Sequence, residues 1–280
     1  MEGHPVRLPS VHVGIIISLL PLLIGCGKAK GPRGVIALYV VEHAASAPII
    51  DGVLEDDCWK NVPALEFVRA EGGGKPLQQT SLRMLRDNEN LYLAFECQDR
   101  DAASNVMEYD GPVEDQDCVA LLIDAGADTT GYFMIAVAPT GAVHDAYILN
   151  AGNGAKVKTL SCWNCEKLRA SVSVYGGGAQ PGNEDRFWTV EMAVPFSQII
   201  TAPRIPPMRG DSWRVNFCRV DITGGRELTA AAPTGAPDMH RPYAFANIVF
   251  GDAHGAGEKS PRKAAGGKRF LASGGRPVRP

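Results

Sequence analysis

The sequence predicts an all-β fold, an antiparallel β-sandwich of the immunoglobulin or jelly-roll type with little helix. Short apolar segments recur along most of the chain with turn residues between them, which is typical of antiparallel strands. Residues 87–90 and 139–141 have the composition of hairpin turns. Amphipathic helical periodicity is almost absent, and hydrophobic residues make up 45% of the chain, which is enough to form a core.

The predicted strands follow one another at regular spacing. In the segment 91–98, Leu91, Leu93 and Phe95 alternate with less apolar residues, so one face of this strand is expected to be buried. Residues 118–124 are continuously apolar, as expected of a strand that is covered on both faces. The predicted strands are residues 35–41, 80–86, 91–98, 118–124, 131–138, 142–149, 168–175, 187–195, 213–220 and 245–250, with one helical turn over 195–200.

The N-terminus has the pattern of an export signal. Residues 14–24 are almost wholly apolar, too short for a comfortable membrane span, and end in Leu23-Ile24-Gly25-Cys26, which resembles a bacterial lipobox. We expect Cys26 to carry the lipid of a lipoprotein that is anchored in the bacterial cell envelope and faces the periplasm or the exterior. The alternative is an ordinary secretory signal with an incidental cysteine.

The remaining chain is expected to contain one large domain. The predicted divisions are a signal peptide over 1–25, a tether over 26–34, the β-sandwich over 35–251 and a disordered basic tail over 252–280. A net charge of -3 gives no reason to expect nucleic-acid binding. In an exported protein the Cys162-Trp163-Asn164-Cys165 segment favours a disulfide, with metal or redox chemistry as the alternative. Trp163 would then stand on a stiffened loop, either as an aromatic platform for a ligand or as a packing residue.

Residues 47–59 read Ala-Pro-Ile-Ile-Asp-Gly-Val-Leu-Glu-Asp-Asp-Cys-Trp, an extended apolar pair followed by an Asp-Gly turn and a tryptophan. We expect Trp59 to be structural and to close one end of the sandwich. Further pieces follow in order: the hairpin at 86–92, the acidic segment at 114–119, Trp-Thr-Val-Glu at 188–191, Val-Pro-Phe at 194–196, 213–217, and His-Arg-Pro at 240–242 with Phe245. Together these pieces resemble the family 9 carbohydrate-binding modules, which are DOMON-like, non-catalytic β-sandwiches that bind sugars. The resemblance covers about residues 47–250.

The resemblance implies a ligand cleft between the acidic segment and the closing segment. In sugar-binding members, two tryptophans there sandwich a terminal sugar; this chain has Val113 and His240 at those positions. A Glu and an Arg expected on the neighbouring strands are Ala120 and Met134, so we expect weak binding. The candidate ligand-binding residues are His240, Trp163, Asp115, Asp117, Val113 and Arg83.

A structural calcium ion is the cofactor that the resemblance to family 9 modules suggests. Family members often hold calcium, and carboxylates are ligands that calcium prefers. The candidate ligands are Asp110, Glu114 and Asp115, for which a solvated acidic loop is the alternative.

Glycan binding is the function that the resemblance favours, as non-catalytic capture at the cell surface in support of polysaccharide breakdown. No catalytic motif such as a nucleophile elbow or a Gly-rich phosphate loop is present, so we do not expect an enzyme. Two alternatives remain. Related DOMON-like domains hold haem through Met and His, for which this chain offers Met84, Met134, His144, Met239 and His240. A structural lipoprotein that binds other proteins is the third reading.

Overall fold

Fourteen β-strands make up nearly all of the regular structure in residues 39–102, 104–150, 157–176 and 185–253, the part of the chain described by a computed structural model. The strands are β1 (Tyr39–His43), β2 (Leu65–Glu66), β3 (Val68–Arg69), β4 (Thr80–Arg86), β5 (Asn90–Gln98), β6 (Cys118–Asp124), β7 (Gly131–Val137), β8 (Val143–Leu149), β9 (Lys158–Leu160), β10 (Arg169–Gly176), β11 (Asp185–Pro195), β12 (Ser212–Asp221), β13 (Glu227–Ala230) and β14 (Ala246–Ala253). Short 3-10 turns occur at Asp57–Trp59, Val113–Asp115, Phe196–Gln198 and Pro242–Ala244. The described ranges contain no α-helix. The prediction of an all-β antiparallel fold is therefore confirmed.

Eleven strands run in the order β10-β11-β5-β4-β1-β14-β12-β6-β7-β8-β9, and β1 joins two antiparallel layers. Off this path, β2 pairs with β4, and β13 pairs with β12 and β3. It pairs in parallel with β4 of the first layer and with β14 of the second. Inward-facing side chains of both layers meet in one buried cluster, in which Leu93 and Phe95 of β5 join Leu121 of β6 and Phe133 of β7. The two layers therefore form a sandwich around a common core.

The second layer is buried on its outer face as well. Every residue of β6 is buried, as its continuous apolar run predicted. Val119, Leu121 and Ile123 point into the central core, while Cys118, Ala120 and Leu122 belong to a separate apolar cluster on the other side of the layer. Loops before β6 and before β14 close over this outer face.

Trp59 covers the outer face of the first layer. The prediction that it is structural is consistent with its burial, since only 2% of the residue is exposed, but the expected position was wrong. Its ring packs with Leu85, Tyr92 and Ala94, which project outward from β4 and β5, rather than closing an end of the sandwich. Its indole Nε1 donates a hydrogen bond to the Glu191 carboxylate at 2.9 Å.

Glu191 also fixes the Asp-Gly turn that opens the domain. The Glu191 side chain accepts hydrogen bonds from the backbone N–H groups of Asp51 and Gly52 at 3.2 and 3.0 Å. Thr189, two residues earlier on β11, donates its hydroxyl to the Gly52 carbonyl at 2.6 Å. The turn is thus tied to the Trp-Thr-Val-Glu segment, 140 residues further along the chain.

Several sequence predictions lie outside the described residues. These are the signal peptide, the tether, the lipidation at Cys26 and all but the first residues of the basic tail. Among the described residues, no helix has the length and hydrophobicity needed to cross a membrane.

Candidate functional site

The candidate site is the outer face of β6, β7, β8 and β12, called the loop-covered face below. Antiparallel register places His144 beside Ala136, and Ala136 beside Ala120, so their side chains form one row across the layer. The next row begins at Ala146 and continues through Met134 to Leu122. The floor of this face is accordingly made of small and flexible apolar side chains.

The predicted cleft is occupied by apolar packing. Val113, in the place of a family tryptophan, is fully buried and belongs to the same cluster as Met239 and Phe245 from the closing segment. Ala120 and Met134, in the places of a family Glu and Arg, are also buried in this cluster. The centre of the face therefore offers a ligand no charged group.

His240 lies at the rim of the loop-covered face and is held by three residues. Its Nδ1 is 2.9 Å from the Tyr132 hydroxyl, and the Asn150 amide donates to its backbone carbonyl at 2.9 Å. Asp238 accepts a hydrogen bond from its backbone N–H at 2.8 Å. Burial lowers the pKa of His240, which favours the neutral imidazole near neutral pH.

Glu114 and His144 form a second polar pair at this rim. The His144 Nδ1 lies 2.7 Å from the nearer Glu114 oxygen, and both side chains are largely buried. This hydrogen bond raises the pKa of His144, so the pair favours the charged imidazolium. The pair fastens the acidic segment to β8.

The carboxylates predicted to bind calcium are not gathered at one point. Glu114 is engaged by His144, while Asp110 and Asp115 are exposed. No group of three or more His, Cys, Asp or Glu side chains in the described ranges is arranged to hold a metal ion. The structure thus gives the calcium prediction no support.

Asp117 and Arg83, two of the predicted ligand-binding residues, are not brought to the cleft. Asp117 is buried and accepts a hydrogen bond from the backbone N–H of Ile222 at 2.7 Å, which fixes the turn after β12. Arg83 alternates with Leu82 and Met84 of the central core, so it projects from the outer face of the first layer, on the other side of the sandwich.

Trp163 packs on the central core. Its ring centroid lies 4.7 Å from that of Phe133, which faces inward, whereas the adjacent Tyr132 and Met134 belong to the loop-covered face. Trp163 is therefore separated from His240 by β7. The structure brings Val113 to the same cluster as Met239, the neighbour of His240, but does not add Trp163 to it.

The disulfide predicted for the Cys162–Cys165 segment is absent, since both residues are free thiols in this structure. The loop is fastened instead by Asp145, whose Oδ2 accepts a hydrogen bond from the backbone N–H of Cys165 at 2.8 Å. Cys165 is buried while Cys162 is exposed. Burial raises the pKa of the Cys165 thiol to about 12, which suppresses its thiolate and hence its nucleophilicity.

The residues proposed as haem ligands are dispersed. Met84 points into the central core from β4, whereas Met134 and Met239 lie in the loop-covered face. His144 is engaged by Glu114 and His240 by Tyr132.

Tyr243 is a functional candidate that the sequence reasoning missed. It lies in the 3-10 turn after His240 and 58% of it is exposed, while the Arg241 guanidinium stands 5.1 Å from its ring centroid. Arg214 of β12 donates to the Pro242 carbonyl at 2.6 Å and so fixes this turn to the layer. The available signal was an aromatic residue directly after the His-Arg-Pro segment.

Tyr109 is a second exposed aromatic residue, with 52% exposed, but it belongs to another surface. Its hydroxyl donates to Asp145 at 2.5 Å. Asp145 alternates with His144 along β8 and therefore points away from the loop-covered face. Tyr243 is accordingly the better-placed platform for a ligand near His240.

The fold is similar to solved carbohydrate-binding structures. A family 9 carbohydrate-binding module from Caldicellulosiruptor kristjanssonii in complex with cellotriose matches with a TM-score of 0.55 at 16% identity, covering 77% of this chain and 94% of that chain. A Bacteroides uniformis protein proposed to bind carbohydrate matches with a TM-score of 0.59 at 16% identity, covering 76% and 98%. A family 9 module from C. kristjanssonii in complex with glucose matches with a TM-score of 0.51 at 15% identity, covering 79% and 100%.

These likenesses confirm the fold predicted from the sequence, a β-sandwich like that of the family 9 carbohydrate-binding modules. No protein-family model matches the sequence, and comparison with curated proteins found no relative.

Proposed function

We propose that the protein is a non-catalytic glycan-binding module of the bacterial cell envelope, and that it presents polysaccharide to enzymes that break it down. Support comes from the fold, which is similar to that of modules solved with cellotriose and glucose. The observation that carries the proposal for this chain is Tyr243, a ring that is 58% exposed on a fixed turn after His240, with the Arg241 guanidinium over the ring at 5.1 Å from its centroid.

Tyr243 supplies the chemistry that a sugar platform needs. The CH face of a pyranose stacks on an aromatic ring, and the hydroxyls at the edge of the sugar accept hydrogen bonds from a guanidinium. One ring replaces the pair of tryptophans that enclose a sugar in the family, since Val113 is buried. A stacked ring contributes about 0.5 to 1.5 kcal/mol beyond its area burial, so a single platform predicts weak, roughly millimolar binding.

The test is an NMR titration of the full chain with glucose and cellotriose. Shifts should cluster around residues 240–245, and Tyr243→Ala should weaken binding by about three- to tenfold. Tyr109→Ala is the matched control, because it removes an equally exposed tyrosine from another surface. No response to any glycan at high concentration, or an equal loss in both variants, would reject the proposed site; the first result would favour protein binding.

The envelope anchor rests on the N-terminal sequence. The apolar run over 14–24 ends at Gly25-Cys26, where a small residue precedes a sulfur that can receive a lipid. Mass spectrometry of the protein from membranes should show a mature N-terminus at an acylated Cys26. Cys26→Ser should release the protein from the membrane fraction. An intact Met1 or an unacylated cut at another residue would contradict the anchor without affecting the glycan site.

A further inference from the structure

A large depression lies at the tip of the β4–β5 hairpin, away from the loop-covered face. It has a volume of about 670 Å³, which is within the range of pockets that hold small ligands. Four separate segments line it: the hairpin turn at 88–90, the start of β10 at 167–169, the end of β11 at 195–197 and the loop at 205–206.

The charged groups of this depression give it an excess of positive charge. Lys167 and Arg169 line it together with one carboxylate, that of Glu89. All three side chains belong to exposed residues, and neither cation forms an ion pair within the described part of the chain. Two cations without partners beside a single anion favour an anionic ligand.

The remaining lining can recognise a polyhydroxylated ring. Asn88 and Asn90 carry amides that both donate and accept, and Ser197 carries a hydroxyl. Ile205 and Pro206 supply an apolar wall on one side. A ligand with hydroxyls, a CH face and a negative charge would match all three kinds of lining.

The hairpin wall of the depression is held in place before any ligand arrives. Asp87 Oδ1 accepts hydrogen bonds from the backbone N–H groups of Glu89 and Asn90, both at 2.7 Å. Its other oxygen accepts the Tyr92 hydroxyl at 2.6 Å, and the Glu89 carbonyl accepts the N–H of Phe196 at 2.8 Å. A fixed wall reduces the entropy that a ligand must overcome on binding.

We propose that this depression is a second binding site, which takes an acidic sugar such as a hexuronic acid residue. Lys167 and Arg169 bind the sugar carboxylate, while Asn88 and Asn90 bind its hydroxyls. The choice of a sugar over other anions rests on the proposed glycan-binding function. The two sites together would select a polysaccharide that contains both neutral and acidic units.

The test is an NMR and calorimetric titration of the full chain with D-glucuronate. D-glucose serves as the probe for the sugar ring without the charge, and acetate as the probe for the charge without the ring. Glucuronate should shift the resonances of residues 88–90 and 167–169 more strongly than glucose or acetate does. Lys167→Gln and Arg169→Gln should each weaken glucuronate binding by about fivefold or more, because each removes a charge-assisted contact. Added salt should also weaken glucuronate binding to the wild-type protein, because it screens the two positive charges.

Lys75→Gln is the control, since it removes an equal charge from an exposed position that does not line the depression. Equal glucuronate affinity in wild type, Lys167→Gln and Arg169→Gln would overturn the proposal, and so would acetate binding as tightly as glucuronate or no glucuronate binding at all. Tyr243→Ala should leave glucuronate affinity unchanged while weakening cellotriose. Failure of the second site is therefore measured separately from failure of the first.

Discussion

Replacing Trp59 with phenylalanine should destabilise the protein mainly by removing one buried hydrogen bond. The Trp59 indole donates to Glu191 at 2.9 Å, and both residues are inaccessible or nearly so, with exposures of 2% and 0%. Glu191 holds the Asp-Gly turn through two further backbone donors. Phenylalanine keeps most of the ring against Tyr92 and Leu85 but leaves one carboxylate oxygen without its donor.

The expected loss of stability in Trp59→Phe follows from the hydrogen bond to the Glu191 carboxylate. Hydrogen bonds to charged groups contribute about 1.5 to 3 kcal/mol, so Trp59→Phe should lower the free energy of unfolding by about that amount. Trp59→Ala also removes the packing of the ring and should cost about 3 to 5 kcal/mol from that source alone. Because domains have a total stability of about 5 to 15 kcal/mol, the alanine variant is close to unfolding and the phenylalanine variant is the informative one.

A double-mutant cycle with Glu191→Gln isolates the interaction. Urea unfolding of wild type, both single variants and the double variant should give a coupling energy of about 1 to 3 kcal/mol between positions 59 and 191. Additive effects would show that the loss in Trp59→Phe comes from ring volume and would refute the hydrogen-bond argument. A change of less than about 0.5 kcal/mol in Trp59→Phe would refute it too, since surface changes are of that size.

The pH dependence of the same variants gives a second readout. Burial raises the pKa of Glu191 above its ordinary value, despite the three donors that lower it. The folded protein therefore holds this proton more tightly than the unfolded chain does, and stability falls as pH rises from the ordinary glutamate pKa through the raised one. Glu191→Gln should lack this decline, so its stability relative to wild type should improve with rising pH across that window. A constant difference would mean that the carboxylate has the same pKa in both states.

Two further perturbations test the rim and the opening turn. The hydrogen bond to Glu114 raises the pKa of His144. The protonated His144 therefore stabilises the folded protein below the ordinary histidine pKa, and this stabilisation is lost as pH rises through the raised pKa. Thermal melts should show this loss in wild type and not in Glu114→Gln. Gly52→Ala should cost about 2 kcal/mol or more, because φ is +86° and the new Cβ would lie 2.8 Å from the Val172 carbonyl carbon. Gly141→Ala has a similar φ of +84° with no atom within 4 Å, so its smaller loss in urea unfolding would isolate the clash; equal losses would contradict it.

The long strands were predictable from the sequence because the order of apolar and polar side chains indicates which faces of each strand are buried. The continuous apolar run of β6 predicted burial on both faces, and all seven residues are buried. The alternation of Leu91, Leu93 and Phe95 identified the inward face of β5. Strands β2, β3, β9 and β13 were missed because two to four residues are too few to show a period of two.

The candidate site was less predictable, because side-chain direction depends on register and on loop conformation. The sequence left Trp163 open between a ligand platform and a packing residue, and in the structure the loop after β9 turns its ring onto Phe133 in the core. Asp117 was predicted to bind ligand as part of the acidic segment, yet its carboxylate accepts a hydrogen bond from the backbone N–H of Ile222. The sequence signal for Tyr243 was only its place directly after the His-Arg-Pro segment, and its exposure follows from the 3-10 turn.

The pieces of sequence that carry the family resemblance contact one another in the structure. The Asp51-Gly52 turn, Trp59 and Thr189 all converge on or beside Glu191, through bonds that span more than 130 residues of sequence. Each piece thus helps to satisfy the buried Glu191 carboxylate, and loss of one leaves an atom of that carboxylate with fewer donors. Val113 and Met134, in the places of two sugar-binding residues of the family, have no such constraint, since they pack as an ordinary apolar core. We therefore look for specificity in this chain at the two proposed sites, Tyr243 and the hairpin depression.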